Sequence, residues 1–440
     1  MRAHFHQLAD AVCGQVPGVE RVSLAFSAEA SDFIRFNRAA VRQATHVEQR
    51  YASISVVADG RRATGTISLG GDLAADTQAL LAERAALVAQ LPLIPQDKYL
   101  LLPPAPTSSE RTATGKLPTA AQVIDSVASH AAGTDLVGFY GGGPVIRAYA
   151  DSKGQRNWHQ VDSFLFEWSL YRGGDQAVKS TDAGAAWDDA VVASKMAQAR
   201  HQCELLARPR KTLAPGSYRV YFSPVAVAEL LGTLSWGGFG LKSLKTGVST
   251  LIQLHRGEAA LHPSVQLTEA TAHGIGPSFQ DDGFVKPDAV QLVEGGRVAG
   301  TLASPRSAME YGVPANGASA EESPDSLSMA AGTLPQADVL RTLGTGVYIS
   351  NLHYLNYSDR QACRMTGMTR FACFWVENGE LVAPIAVMRF DDSFIRMFGE
   401  GLVALTDTVQ LQPDNATYGA RSLRSISAPG AIVEGLRFTL

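Results

Sequence analysis

In the first half of the chain the apolar positions switch between a period of two and a helical period, in the same order twice. The opening segment, "MRAHFHQLADAVCGQVPG", breaks its apolar residues with His, Gln and Asp and predicts an amphipathic helix. Val22, Leu24 and Phe26 then share one face of a strand, followed by strand-like "DFIRFN", "QRYASISVVADG" and "RRATGTISLGG". A helix is predicted over "DLAADTQALLAERAALVAQL", where Leu73, Leu80, Leu87 and Leu91 form a stripe. The second round starts with a helix near Pro118, "PTAAQVIDSVASHA", and continues with strands "LVGFY", "VIRAYAD" and "NWHQVDSFLFEWSLY". In the last of these Phe164, Phe166, Trp168 and Leu170 alternate strictly. A long helix closes the round with Val192, Met196, Ala199, Cys203 and Leu206 on one face. Helix, strands, helix, twice over, is the order an internal duplication would leave. It predicts a mixed sheet with helices packed on it.

The pattern changes after "LARPRKTLAPGSYRV", where two prolines, a basic cluster and a glycine precede the strand "YRVYFSP". The domains are therefore expected at residues 1–212 and 213–440. In the second, one apolar helix, "VAVAELLGTLSW", is followed by short strands separated by Gly, Asp-Gly and Asn-Gly turns. Residues 313–335, small, polar and rich in Pro and Gly, read as a long surface loop. The whole reads as an α+β fold, its N-terminal half a mixed sheet with helices, its C-terminal half mostly β and barrel-like.

Composition narrows the function classes. The chain has 440 residues, 45% apolar and 18% charged, ample for a core, and a formal net charge of −4. That balance gives no electrostatic case for nucleic acid or an anionic membrane as partner. No run of 18 apolar residues occurs, so no transmembrane helix is predicted, and the N-terminus lacks the continuous apolar stretch of a signal peptide. Four scattered cysteines, Cys13, Cys203, Cys363 and Cys373, form neither a CxxC site nor a disulfide framework, and a cytoplasmic setting with free thiols is expected.

Zinc hydrolysis needs imidazoles at fixed spacing and a carboxylate for the proton of the bound water. None of the ten histidines is followed by Glu, and no two are four or five residues apart. His4 and His6 read as surface residues, and Gly257 and Pro263 break any helix that would align His255 with His262. Cys203 lies on an apolar helix face and Cys373 in the apolar strand "RFACFWV", so both read as structural thiols; Cys363 follows His353 by ten residues, which does not by itself make a dyad. The clusters "YGGGPVIR" and "SWGGFGLKS" lack phosphate-loop spacing and read as tight turns. No catalytic or metal-ligating set is assigned.

The most distinctive stretch is "GTGVYISNLHYLNYSDRQACRMTGMTRFACFWVENGELVAPIAVMRF". It resembles the C-terminal signature of the TldD/PmbA (TldE) family, called modulators of DNA gyrase. Gly346, Tyr348, Ile349, Thr366, Gly367, Thr369, Arg370, Glu377 to Glu380 and Arg389 match that pattern. "SDFIRFN", "FEWSLY", "PSFQDDG" and "VEGGRVAGTL" agree with it in order, so the resemblance spans nearly the whole chain. It implies a heterodimeric zinc metallopeptidase in which a TldD-type chain carries a helical HExxxH motif and a later cysteine. Here the corresponding helix, around "VAVAELLGTLSW", has Glu229 and no histidine, and no cysteine falls near "YGARSLRS". The resemblance thus implies a TldE-type subunit without cofactor, the zinc residing in a TldD-type partner and the pair acting on unstructured peptides.

On this reading "TGMTRFACFWVENGE" builds a framework around the partner's cleft, where a peptide lies as an added strand. His353, Thr366, Thr369 and Arg370 are the residues expected to face substrate or partner, with Arg370 pairing either an incoming carboxylate or one within its own sheet. A stand-alone peptide-binding or scaffold protein is the alternative, and an enzyme using Cys363 and His353 a third.

Overall fold

In a computed structural model that describes residues 1–439, the chain builds two sheets. The first comes from α1 (Arg2–Val12), β1 (Arg21–Asn37), β2 (Ala40–Ala58), β3 (Arg61–Ser68), α2 (Leu73–Gln90), β4 (Ser109–Ala113), α3 (Ala120–His130), β5 (Asp135–Asp151), β6 (Arg156–Gly173), β7 (Gln176–Gly184) and α4 (Asp189–Leu205). Its strand order is β3-β2-β1-β5-β6-β4, with β7 also on β6. Two antiparallel meanders, β1-β2-β3 and β5-β6-β7, meet where β1 pairs antiparallel with β5. Each is preceded and followed by a helix, so the repeated order expected from the sequence is the topology observed. Only β4, which adds parallel to β6, has no counterpart in that expectation.

The helices cover the apolar face in two clusters. Phe5, Leu8 and Leu80 pack on Leu24 and Ile54, while Val123, Val192 and Met196 pack on Phe166 and Trp168. Helix starts are fixed locally: the Asp72 side chain accepts the Ala75 N–H, and Thr119 with Gln122 forms a capping box. His4, expected at the surface, is instead largely buried and bonds Asp76 at 3.1 Å, tying α1 to the start of α2.

"YGGGP", expected as a tight turn between two strands, lies inside β5. Asp32 and Phe33 oppose Gly142 and Gly141, and β6 continues on the other side. The glycines are needed for close approach: a Cβ on Gly142 would stand 2.2 Å from the Tyr140 hydroxyl, and one on Gly143 2.1 Å from Ala30 O.

The second sheet comprises β8 (Gly216–Phe222), β9 (Leu267–Glu269), β10 (Val290–Glu294), β11 (Arg297–Val298), β12 (Ser326–Met329), β13 (Gly346–Ile349), β14 (Asn351–Asp359), β15 (Arg364–Arg370), β16 (Phe374–Glu377), β17 (Glu380–Pro384), β18 (Arg389–Ser393), β19 (Leu402–Pro413) and β20 (Ser425–Phe438). The helix α5 (Pro224–Leu234) lies against β20, β14 and β8. The sheet is branched: β20 pairs with β12, β8, β18 and β19 at different heights, and shifts register between Val433 and Leu436. One long strand serving four partners splits a sheet into branches, and the barrel-like closure expected from the turn pattern does not form. The stretch 313–335 is also more than a surface loop. Its residues 326–329 are β12, with Leu327 and Met329 in the core, because "SLSM" alternates as a strand despite its small polar neighbours.

Over β4 and β6 the second face of the first sheet carries buried polar side chains that bond to the C-terminal half. His159 Nε2 bonds Ile275 O at 3.0 Å, Gln155 Nε2 donates to Gly283 O at 2.7 Å, and Arg111 donates to Gly274 O at 3.0 Å. From the loop between β19 and β20, Arg421 enters the same face and donates to Gly143 O at 2.9 Å and to both oxygens of Ser163 at 2.8 Å.

Candidate functional site

The helix α5 has a strong start and an unusual middle. Ser223 caps it by accepting the Ala226 N–H, and Pro224 occupies its first turn. Ala226, Val227, Leu230, Leu231 and Leu234 are fully buried, which leaves Glu229 as its one ionisable side chain. Glu229 Oε2 accepts the Leu352 N–H at 2.6 Å, and Oε1 lies 3.5 Å from Asn351 Nδ2. Burial pushes this carboxyl up to about 7, against the pull of those two donors and of Lys179. A carboxyl at that level exchanges its proton near neutral pH.

Glu229 borders a cleft of about 500 Å³ between the two sheets. One wall brings Leu165, Glu167, Lys179 and Thr181 from β6 and β7; the other brings α5, Leu327, Leu355 and Ile426. Lys179 Nζ is paired with Glu167 at 2.8 Å. At the mouth Arg424 reaches Glu321 at 2.6 Å and Asp325 at 3.3 Å, and Trp236 stands half exposed. An apolar trough with a few convergent polar groups is the usual form of a small-ligand or peptide site.

The cleft does not suit a zinc ion. The α5 residues beside Glu229 that line it are Val225, Ala228, Gly232 and Thr233, and the β20 approach supplies Arg424, Ser425 and Ile426. None offers an imidazole or thiolate, and among the described residues no three His, Cys, Asp or Glu side chains gather as a ligand set.

The four residues expected to face substrate or partner all lie on β14 and β15, outside the cleft. Thr369 is buried: its Oγ1 accepts the Met388 N–H at 2.9 Å and its N–H donates to Met388 O at 2.9 Å. Thr366 Oγ1 donates to Phe390 O at 3.0 Å and receives Arg389 Nε at 3.2 Å. Arg370 is half-buried with its guanidinium 5.3 Å from the Phe371 ring; it adds to the field that keeps the Asp175 carboxyl low, where Arg210 is the main partner. His353 is exposed and lies against Tyr354, ring centroids 4.4 Å apart.

Signature and cleft are nonetheless joined. Leu352, whose N–H is bound by Glu229, lies opposite Thr369, and Asn351 lies opposite Arg370. The TGMTR strand thus holds in register the strand that holds the carboxyl. Glu229 was visible in the sequence only as the lone acid of an apolar helix, and that lone acid is the signal. Cys363 and His353 form no dyad. The thiol is fully buried and pushed up to about 12 by that burial, while the imidazole is solvent-exposed on β14. Cys373 is likewise buried, its Sγ 3.2 Å from Arg370 O. His255 and His262 do not converge either: His262 bonds Ser264 at 2.8 Å at the surface. "SWGGFG" forms the expected turn, with Gly237 at φ 87°.

Residues 215–440 match the family model described as PmbA/TldA metallopeptidase C-terminal domain. No curated protein matches the chain. Among solved structures, a candidate modulator of a DNA gyrase from Thermotoga maritima superposes with a TM-score of 0.79 at 15% identity, over 100% of both chains. TldE from Thermococcus kodakarensis gives 0.79 at 12% identity, over 96% of this chain and 97% of that one. A similarly described protein from Bacteroides thetaiotaomicron gives 0.78 at 15%, over 100% and 98%.

Proposed function

The chain belongs to the PmbA/TldD metallopeptidase family, whose C-terminal domain it carries in residues 215–440, and on that premise we propose that it is a TldE-like subunit. It shapes a peptide cleft and leaves the metal chemistry to a TldD-type partner bearing HExxxH. The observation that supports this reading is α5 itself. Where a metal-holding relative would present the two imidazoles of HExxxH, the helix presents Ala228 and Thr233, on either side of a Glu229 bound to backbone. The substrate class is unstructured peptide, held by main-chain hydrogen bonds along a strand and by the apolar walls of the cleft. His353 and Arg370 are the partner- or substrate-facing side chains in this scheme. Four free cysteines fit a reducing, cytoplasmic setting.

Co-expression with an HExxxH-bearing chain from the same source tests the proposal. A stable complex burying upwards of about 2,000 Å² is expected on size exclusion, with peptide cleavage exceeding that of the HExxxH chain alone. Arg370→Glu should weaken assembly or cleavage while leaving the first sheet folded. If neither complex nor gain in cleavage is seen, the subunit reading fails. A stand-alone peptide-binding protein then takes its place.

A further inference from the structure

Both cations that line the cleft are already matched. Lys179 is held by Glu167 at 2.8 Å, and Arg424 by Glu321 and Asp325. Asp414, an acid of the lining, is exposed just past β19 and accepts the Ala416 N–H at 3.0 Å. Glu229 differs: among the described residues it has no ion pair. Its oxygens meet two neutral donors, the Leu352 N–H on Oε2 and, at 3.5 Å, the Asn351 amide on Oε1. The second contact is at the limit of a hydrogen bond, so Oε1 keeps room to accept another donor. Around the carboxyl the walls are hydrocarbon, from Leu165, Val225, Ala228, Leu327, Leu355 and Ile426. The charges that face it from β6 and β7 are Glu167 and Lys179, which offset each other. From β14 come the two donors, the Tyr357 hydroxyl being turned to Thr233 O; β19 brings Gln412, and β8 lines none of the cleft.

We propose, on the reading of this cleft as a peptide site, that Glu229 receives a primary ammonium carried on an apolar stem, so that the cleft selects peptides containing lysine. The methylenes of the stem lie along the hydrocarbon walls, and the ammonium brings Oε1 the counter-charge that the chain itself withholds. An ammonium suits the site better than a guanidinium. Oε2 is taken by the Leu352 N–H, so a two-pronged arginine pair would have to displace it, whereas an ammonium needs one oxygen. An acidic side chain would meet Glu229 as a like charge. Only ionised Glu229 attracts the ammonium, and burial holds the empty site's carboxyl up at about 7. Affinity for lysine therefore rises as pH climbs through that value, and binding below it releases a proton.

Calorimetric titration of the full chain with short, end-blocked peptides of alanine and serine tests this, the central residue being lysine, norleucine or arginine. Norleucine keeps the stem and drops the charge. At about pH 8 the lysine peptide should bind on the order of tenfold tighter than the norleucine one, and at about pH 6 less than about threefold tighter. Repeating the lysine titration at about pH 6 in buffers of different ionisation heat should show proton release. Glu229→Gln should bring the lysine peptide down to the norleucine level, with an unchanged circular-dichroism spectrum. Lysine and norleucine peptides that bind alike at both pH values overturn the proposal and leave the peptide cleft standing, and so does an arginine peptide that binds tighter than lysine. If none of the three binds, the peptide cleft itself falls, and the proposal with it. Should Glu229→Gln disturb the fold, the pH dependence of the parent chain decides alone.

Discussion

The signature strands β14 to β18 and the helix α5 lie against each other, yet their sequences point opposite ways. The strands carry the conspicuous residues, TGMTR and ENGE, and use them up internally. Thr369 is spent on Met388, Thr366 on Phe390 and Arg389, and a Cβ on Gly367 would fall 2.7 Å from Leu355 and 2.9 Å from Phe390. The helix reads as plain core, yet its one acid opens into the cleft at a level where it can exchange a proton. Distinctive residue patterns mark where backbone geometry is hardest to satisfy. Reactive capacity lies where one polar group is held against an apolar wall.

Substitutions should separate the two regions. The largest stability loss is expected in the strands: Thr369→Val leaves the buried Met388 N–H without its acceptor and should cost about 1–3 kcal/mol in chemical denaturation, at any pH. In the helix the effect depends on pH. The Glu229 carboxyl ionises less readily in the folded chain, so its contribution is whole below the ordinary value of 4.5 and is lost as pH climbs through about 7. Glu229→Gln should remove that slope, making the variant more stable than the parent by on the order of 1 kcal/mol at about pH 8 and little different at about pH 4. A parent whose denaturation midpoint is flat between those values would break the comparison.

The sequence showed the strands' periodicity, the helices and the doubled order of the first sheet because each is written in neighbouring residues. It misled where long-range packing decides. The glycines of β5 resemble a turn until Tyr140 and Ala30 are seen to crowd them, and β12 resembles loop because its partners, β9 and β20, lie far away in the chain. The site was half legible: the absent histidines could be counted, but the worth of Glu229 depends on Leu352 and on the wall from β6 and β7.

Smaller effects sharpen the picture. Cys363→Ala should cost on the order of 1 kcal/mol without touching the cleft. With a thiol reagent the half-exposed Cys203 should react well before Cys13, Cys363 and Cys373, all buried; fast loss of Cys363 would mean that the strands open. Smallest of all, Arg370→Ala should shift stability by no more than about 0.5 kcal/mol, as expected of a side chain resting on an aromatic ring near the surface.

The Arg421 insertion has a consequence for the order in which the molecule is made. Its partners Gly143 and Ser163 leave the ribosome more than two hundred and fifty residues before it does. Until then the polar face of the first sheet waits without the guanidinium that fills it. Closing so long a loop is slow on entropic grounds. The clasp therefore closes late in synthesis, and a chain released before Arg421 would lack both it and β20, the strand on which four others of the second sheet depend.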